Sequence, residues 1–364
     1  MNAAALSTAA DVQAWLRPFG AVYGWAAARR RARYHRHPHL QKTLPRPVIS
    51  VGNLTVGGSG KTPLVAALAT LLLGMGERPS VLSRGYRRRS GGRGVLVVSD
   101  TRGVRVPVEE SGDEPQLLAR RLAGIPVLVA TDRYEAGRVA ERDFGCTVHV
   151  LDDGFQHLRL ARELDVLLLG ERDLCDHVLP AGRLREPLAA AWDADLWLTP
   201  EGDPARLAGA PALVAARGTL GAAVGPSVSA PPSFGVVLDV GAPRCVAPFG
   251  QAAPVAPGRA VAVAGIARPE RFFASARAAG WTIEREMVFA DHHWFTAGDW
   301  REVRAAAEAA GVTTVLTTEK DAVRLERLVA GEPAGVQVCY LPIDLVLGDA
   351  LVAWLRTRVA EWAA

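Results

Sequence analysis

The sequence predicts an α/β protein with a mostly parallel sheet, helices on both faces of that sheet, and a smaller C-terminal α/β domain. Two observations predict this fold. Short apolar runs alternate with patterns of helical period through the first 200 residues, and the alternation resumes after residue 259. Strands that alternate with helices are typical of parallel sheets, whose ligands gather at the carboxyl ends of the strands.

The individual elements follow from apolar runs of strand length that are bounded by turn residues, and from longer stretches of helical period. The first part of the chain gives strands at residues 47–52, 79–83, 126–130, 148–152, 166–169 and 196–198, and helices at 62–73, 114–122 and 133–143. The last part gives strands at 260–264 and 314–317, and helices at 269–279 and 299–310.

A change of composition predicts where the domains separate. Residues 200–257 are rich in Pro, Gly, Ala and Ser and contain only one strand-like run, an isolated strand at 234–240. We therefore predict an N-terminal helical region at 1–36, the main sheet domain at 37–225, a linker with short strands at 226–258, and the smaller domain at 259–364.

Bulk composition excludes several classes of protein. The 364 residues are 49% apolar and 22% charged, which is ordinary for a folded globular chain. A net charge of +4 gives no sign of a nucleic-acid partner. The four cysteines lack CxxC spacing and indicate reduced thiols in the cytoplasm. No run of 18 apolar residues predicts a transmembrane helix, and no basic segment before an apolar run predicts a secretory signal.

The N-terminal region combines aromatic residues with a basic cluster. Trp15, Phe19, Tyr23 and Trp25 recur at roughly helical spacing, and five arginines follow between residues 29 and 36. This pattern fits a helix that lies in the interface of an anionic membrane. It fits a core-packing helix with a solvated basic tail equally well, and the pattern alone leaves both open.

A phosphate-binding loop is the strongest motif in the sequence. Residues 51–63, VGNLTVGGSGKTP, follow a predicted strand and precede a predicted helix, which is the context of a P-loop. The nucleotide-binding residues of this loop are predicted to be Thr55, Gly57, Gly58, Ser59, Gly60, Lys61 and Thr62. Lys61 can reach the β- and γ-phosphates, and the Thr62 hydroxyl can ligate magnesium. Thr55 stands where the strict pattern has glycine. The alternative is a glycine-rich turn with a chance lysine.

A second motif predicts carboxylates for a metal ion. The apolar strand at 148–152 ends in Asp152 and is followed by Asp153 and a glycine. A carboxylate at the end of a strand beside the P-loop is the usual ligand of the nucleotide's magnesium. The alternative is a simple turn, since Asp-Asp-Gly is also good turn chemistry. The P-loop makes the magnesium role the better hypothesis. The two motifs together predict a P-loop NTPase-type fold.

Eight segments of the sequence, in chain order, resemble segments of one protein family. They are VGNLTVGGSGKTP at 51–63, SRGY at 83–86, GDEPQLLARR at 112–121, TDR at 131–133, LDDGFQH at 151–157, GRLREP at 182–187, DHHWF at 291–295 and TEKDAVR at 318–324. With them the chain resembles the tetraacyldisaccharide 4′-kinases, the lipid A 4′-kinases of Gram-negative bacteria. The resemblance implies transfer of the γ-phosphate of ATP, with Mg²⁺, to the 4′-hydroxyl of a tetraacylated glucosamine disaccharide 1-phosphate. It also implies work at the cytoplasmic face of the inner membrane, and it favours the membrane interpretation of residues 1–36.

The site residues follow from the motifs and the resemblance together. Asp132, just after the strand at 126–130, is the candidate base that accepts the proton of the sugar hydroxyl. His292, beside Asp291, is the candidate partner that orients Asp132 across a domain cleft and ties catalysis to domain closure. Further active-site candidates are Gln156, His157, Arg185, Asp291 and Glu186, the last as an additional magnesium ligand. For His292 a helix-capping role, and for Arg185 and Glu186 a surface ion pair, stay open.

Another class of protein is compatible with the P-loop alone. A P-loop switch would use nucleotide hydrolysis to change the conformation of a protein partner, without an acceptor substrate. A base candidate, a second domain and a membrane-type N-terminus favour the kinase. The segment with Glu319, Lys320 and Asp321 matches the family but has no role that the sequence assigns.

Overall fold

A central parallel sheet and a smaller second sheet organise the chain. The structure, a computed structural model, describes residues 3–57, 60–85, 94–200, 203–218, 229–330 and 335–363. The chain divides into two units. Unit 1 comprises Met1–Leu82, Asp132–Val237 and Val346–Ala364, and unit 2 comprises Ser83–Thr131 and Leu238–Leu345.

The strands and helices are numbered in chain order. The strands are β1 Val48–Asn53, β2 Pro79–Ser83, β3 Leu96–Asp100, β4 Gly103–Val104, β5 Val127–Val129, β6 Val148–Asp152, β7 Leu164–Leu168, β8 Leu196–Thr199, β9 Ser233–Val240, β10 Arg244–Cys245, β11 Arg259–Ala264, β12 Thr282–Val288, β13 Thr314–Thr318, β14 Gln337–Leu341 and β15 Ile343–Leu347. The helices are α1 Ala3–Arg36, α2 Lys61–Gly74, α3 Val108–Ser111, α4 Asp113–Arg121, α5 Arg133–Phe144, α6 Pro204–Ala208, α7 Pro211–Gly218, α8 Pro269–Ala278, α9 Ala297–Ala309, α10 Glu319–Val329 and α11 Asp349–Ala363.

Unit 1 contains parallel strands in the order β9-β8-β7-β1-β6-β2. All residues of β1, β6, β7 and β8 are buried, which is typical of a parallel sheet inside an α/β protein. Helix α2 packs against β1 and β6 with Leu64, Leu68 and Leu72. The mostly parallel α/β sheet predicted for the nucleotide-binding part is confirmed. Its register aligns Val51 of β1 with Asp152 of β6, so the segments that follow both strands leave the sheet side by side.

Unit 2 contains a sheet in the order β10-β14-β13-β11-β12, parallel except for β10. Val261, Val315 and Trp300 belong to its buried core. The smaller C-terminal α/β domain is therefore confirmed as a fold. Unit 2 also includes the antiparallel strands β3, β4 and β5 and the helices α3 and α4, because Val108 and Leu117 pack against Val323 of α10.

The contact pattern differs from a division into successive domains. Residues 83–131 group with the C-terminal sheet, and α11 groups with unit 1. Strand β9, predicted to be isolated, instead pairs in parallel with β8, with Ser233 opposite Trp197. Its place beside β8 depends on a pairing between distant residues that local sequence cannot reveal. Within the described ranges, no helix is long and apolar enough to cross a membrane.

Candidate active site

The phosphate loop begins at the end of the buried strand β1 and ends where α2 begins, at Lys61. Gly57 and Gly60 both have positive φ angles, 101° and 86°, which residues with a Cβ rarely adopt. The N-terminus of α2 adds exposed N–H groups and a partial positive charge, which favours an anion there. Gly58 and Ser59, also predicted to bind nucleotide, lie outside the described residues.

The segment 182–187 runs antiparallel to the start of this loop. The Val56 N–H donates to the Arg183 carbonyl at 2.9 Å, and the Arg185 N–H donates to the Leu54 carbonyl at 2.6 Å. Between them, Thr55 pairs with Leu184 in an isolated bridge. The predicted nucleotide-binding residue Thr55 is thus buried at this junction. The pairing places Arg185 beside the phosphate loop.

Asn53, the last residue of β1, joins the predicted site residues to one another. Its Oδ1 accepts hydrogen bonds from Lys61 Nζ and from Arg185 Nη2, both at 2.7 Å. Its main-chain carbonyl accepts from Arg185 Nη2 at 2.9 Å and from Gln156 Nε2 at 3.0 Å. Asn53 Nδ2 in turn donates to Thr55 Oγ1 at 3.0 Å. Asn53 is therefore a further residue of the candidate site, one that sequence reasoning missed. The available signal was a polar residue at the end of an apolar strand.

Asp153 faces two cations. Arg185 donates to its two carboxylate oxygens at 2.8 Å each, and Lys61 Nζ lies 3.4 Å from Oδ1. Burial by itself raises the pKa of Asp153, but Lys61 and Arg185 outweigh burial and hold that pKa well below its usual range. Asp153 is therefore a carboxylate at any physiological pH. Its φ of 52° is left-handed, so the backbone turns sharply after β6.

Asp152 is the first of the two predicted metal ligands. It ends β6, is only 3% exposed, and lies opposite Val51 in the register. Thr62 stands in the first turn of α2. Carboxylate and hydroxyl oxygens are the hard donors that Mg²⁺ takes in phosphate sites, so this donor set fits the ion. Asp153, the second predicted ligand, accepts hydrogen bonds from Arg185 at both carboxylate oxygens.

Gln156 and His157 follow in the same loop after β6. Gln156 reaches the phosphate loop through Asn53, as described above. His157 Nδ1 lies 3.3 Å from Arg133 Nη1, which can only donate, so this nitrogen is the acceptor. Burial, with the charge of Arg133, lowers the pKa of His157 to about 3. His157 is therefore a neutral imidazole beside the helix that Asp132 caps.

Asp132 caps the N-terminus of α5, where its Oδ1 accepts the Tyr134 N–H at 3.1 Å. Its Oδ2 accepts from Lys42 Nζ at 2.7 Å. Burial raises the pKa of Asp132, but the Lys42 and Tyr134 hydrogen bonds outweigh burial and lower it below the ordinary value. Its side chain is 39% exposed, so it is an ionised carboxylate accessible to a substrate. Lys42, which also lies 3.4 Å from Glu135, was missed by sequence reasoning.

His292 belongs to unit 2, where its Nδ1 lies 2.7 Å from Asp113 Oδ2. Its Nε2 lies 3.9 Å from Asp291 Oδ2. The pairing of His292 with Asp132 joins residues of different units and stays a prediction. Asp113 is a further residue that the sequence analysis did not single out, although it lies in a segment that carried the resemblance.

Glu186, predicted as a magnesium ligand, pairs with Arg31 in the structure, and its magnesium role stays a prediction. Its Oε2 accepts from Arg31 Nε of α1 at 3.2 Å and also pairs with Arg31 Nη2. Arg31 Nη2 also donates to the Phe155 carbonyl at 3.2 Å, and Nη1 lies 3.5 Å from Asp193 Oδ2. The Arg31 and Glu186 side chains are 5% and 4% exposed. This buried pair holds α1 against the two loops that carry Asp153 and Arg185.

Replacing Arg31 with methionine is expected to lower the free energy of unfolding by about 3–5 kcal/mol, because it leaves buried Glu186 without its compensating cation. Urea unfolding followed by circular dichroism measures the loss. Arg33→Met is the matched control, since Arg33 is exposed on the same helix, and it should change the free energy by less than about 0.5 kcal/mol. Equal effects of the two substitutions would contradict the anchoring role of Arg31.

Comparisons with known proteins identify the relatives of this chain. The family model described as Tetraacyldisaccharide-1-P 4'-kinase matches residues 12–360. A tetraacyldisaccharide 4′-kinase of Anaeromyxobacter dehalogenans (strain 2CP-1) is 42% identical over 343 residues, which cover 92% of this chain and 87% of that relative. One of Halorhodospira halophila is 39% identical over 351 residues, which cover 94% and 93%.

A solved structure extends the comparison from sequence to fold. The crystal structure of LpxK from Aquifex aeolicus in complex with ATP matches with a TM-score of 0.73 and 31% sequence identity, over 96% of this chain and 99% of that one. The sequence relatives and this structure cover both units. The chain therefore belongs to the Tetraacyldisaccharide-1-P 4'-kinase family.

Proposed function

We propose that the chain transfers the γ-phosphate of ATP to the 4′-hydroxyl of a tetraacylated glucosamine disaccharide 1-phosphate. The observation that carries this proposal is the position of Lys61 at the start of α2, with its ammonium between Asn53 and Asp153, in a member of this kinase family. The names of the relatives support the kinase, and they do not support the alternative of a P-loop switch.

The residues around the phosphate loop take complementary roles in the proposal. Lys61 and Arg185 stabilise the negative charge that phosphoryl transfer spreads over the phosphate oxygens. Before nucleotide binds, both cations are compensated by Asp153, which keeps them extended toward the loop. Asp152 and Thr62 are the residues that would hold Mg²⁺. Bound there, the ion would supply positive charge against the negative charge that develops on the phosphate oxygens.

Asp132 is the proposed base. Its low pKa keeps it ionised, and its exposed carboxylate is able to accept a proton from a sugar hydroxyl. His292 stays the candidate partner that orients Asp132. Glu186 contributes by holding the loop that carries Arg185, through its buried pair with Arg31.

The activity has a direct test. Purified protein, γ-labelled ATP, Mg²⁺ and detergent are incubated with a tetraacyl disaccharide 1-phosphate, and the lipid fraction is separated. We expect label in the lipid, at the 4′ position by mass spectrometry. Label released only as free phosphate, with or without the lipid, would instead indicate a hydrolase and contradict the proposal.

We also propose that α1 binds an anionic membrane surface. The helix has two different faces. Gly20 and Gly24 allow close packing on Val178 of unit 1, where a Cβ on Gly20 would lie 2.9 Å from the Val178 carbonyl oxygen. On the other side Trp15, Phe19 and Trp25 are 82%, 65% and 64% exposed. Exposed aromatic side chains on a helix suit the headgroup region of a bilayer when arginines follow them.

Changing Trp15, Phe19 and Trp25 together to serine is expected to weaken binding to anionic vesicles by about 100-fold, because each lost apolar contact contributes about 1 kcal/mol or more. Co-sedimentation with phosphatidylglycerol-containing vesicles measures it. The control changes Val214, Val237 and Val288, which are exposed elsewhere, to serine. Loss of vesicle binding in the valine control alone would refute the role of α1. Unchanged vesicle binding in both variants would also refute it.

A further inference from the structure

Asn53 lies where two cations of the candidate site meet. It is the last residue of β1 and is fully buried. Its side-chain oxygen Oδ1 lies 2.7 Å from Lys61 Nζ and 2.7 Å from Arg185 Nη2. The two cationic groups are therefore no more than twice that distance apart, although their like charges repel each other. All three residues belong to unit 1, so one neutral atom of that unit holds both cations beside the phosphate loop.

The chemistry of these contacts fixes which way the Asn53 amide points. Lys61 and Arg185 can only donate hydrogen bonds, so the atom that faces them is the amide oxygen and not the amide nitrogen. The nitrogen Nδ2 faces Thr55 and donates to its Oγ1 at 3.0 Å. Thr55 is itself held by its bridge with Leu184. A rotation of the amide by 180° would turn N–H groups toward the cations and would lose both of their hydrogen bonds.

Arg185 and Lys61 are each held by one charged and one neutral group. The charged group is Asp153, which accepts from Arg185 at 2.8 Å with each oxygen and lies 3.4 Å from Lys61. The neutral group is Asn53, which orients both cations and leaves their charge unchanged. Lysine has three N–H donors and arginine has five, so each cation can bind a phosphate while it keeps its hydrogen bond to Asn53.

We propose that Asn53 is a positioning residue for phosphoryl transfer, whose neutral side-chain oxygen gathers Lys61 and Arg185 on the same phosphate group of the nucleotide. This rests on the proposed function. Lys61 and Arg185 touch the phosphates, and Asn53 acts only through them. Cations that are already in place need no rearrangement as negative charge moves during the transfer, which lowers the barrier. A carboxylate in place of the amide would also hold the cations, but it would cancel part of their charge.

The first experiment compares two substitutions with different expected effects. Asn53→Ala removes the acceptor and leaves both cations, so kcat should fall about 10- to 100-fold while the Kd of ATP changes by less than about threefold. Asn53→Asp keeps an acceptor and adds a negative charge, so the Kd of ATP should rise at least about tenfold. Calorimetry with ATP and Mg²⁺, without the disaccharide, measures Kd. Labelled lipid formed at saturating substrates measures kcat.

A control on the same strand and the pattern of the two values separate positioning from a structural role. Ser50→Ala removes a buried hydroxyl from β1 and should leave kcat and Kd within about twofold of wild type, because the acceptor of the cations stays in place. Full kcat in a folded Asn53→Ala protein would overturn the proposal. A wild-type Kd in Asn53→Asp would overturn the need for a neutral oxygen, and this variant keeps the test decisive if Asn53→Ala does not fold.

The second experiment tests whether Asn53 acts through Arg185. The value of kcat is measured for wild type, Asn53→Ala, Arg185→Ala and the double variant. The fold-loss caused by Asn53→Ala should shrink at least about threefold once Arg185 is absent, because a positioning residue has less to position. Equal fold-losses in both backgrounds, with an active wild type, would overturn the proposal and leave the proposed function standing. A wild type that puts no label into the lipid would overturn the proposed function itself.

Discussion

Replacing Lys61 with alanine is expected to lower kcat for transfer to the disaccharide by at least about 100-fold, the usual cost of removing one group that stabilises transition-state charge. Lys61 has an ammonium that Asn53 and Asp153 already hold at the start of α2. Little rearrangement is therefore needed when the negative phosphates arrive. The measurement is the rate of labelled-lipid formation from γ-labelled ATP at saturating substrates.

Two further variants sharpen the test of Lys61. Lys61→Arg keeps the charge but replaces a compact ammonium with a longer planar group, and it should also lose most of the activity. Arg142→Ala removes an exposed cation that pairs only locally with Asp143, and it should stay within about twofold of wild type. Undiminished turnover in Lys61→Ala would contradict the P-loop assignment.

Strands of unit 1 were predicted well wherever the sequence pattern of the strand lies within the strand itself. Strands β2 and β6 begin and end at the predicted residues, because a buried parallel strand appears as an apolar run closed by turn residues. Helix α2 extends one residue beyond its prediction at each end. Lys61 and Asp153, both taken from local motifs, do come together, at 3.4 Å.

The parts that could not be predicted depend on contacts between distant residues. Arg31 and Glu186 are 155 positions apart, and neither has neighbours that reveal a buried pair. Asp113 and His292 are 179 positions apart. Strand β12 was missed because most of its residues are exposed and polar, as at a sheet edge, which removes the apolar run. The grouping of residues 83–131 with the C-terminal sheet has the same origin, since it depends on packing such as that of Leu117 against Val323, far apart in the chain.

Replacing Asp132 with asparagine is expected to lower kcat about 100-fold or more, while the affinity for ATP is kept. Asparagine can still cap α5 and has nearly the same size, so the loss reports the missing carboxylate and not a disrupted helix. The measurement is kcat with the disaccharide acceptor, together with ATP binding by calorimetry. Unchanged turnover would exclude Asp132 as the base.

The ion pair with Lys42 separates a catalytic from an electrostatic role of Asp132. Lys42 contacts both Asp132 and Glu135, so Glu135→Gln is the matched control that alters the same lysine without touching the base. It should keep nearly full activity. An equal loss of kcat in Asp132→Asn and Glu135→Gln would mean that the ion pair with Lys42, and not proton transfer by Asp132, sustains the activity.

Removing Lys42 makes the same distinction through pH. Lys42→Met should raise the pKa of Asp132, because the Lys42 hydrogen bond and charge are what lower it. The active form is the carboxylate, so the acidic limb of the kcat profile should move to higher pH while the plateau above it persists. A base acting elsewhere would leave that limb unmoved. A shifted limb with a retained plateau in Lys42→Met, beside a collapsed plateau in Asp132→Asn, is the combination that only a base at Asp132 produces.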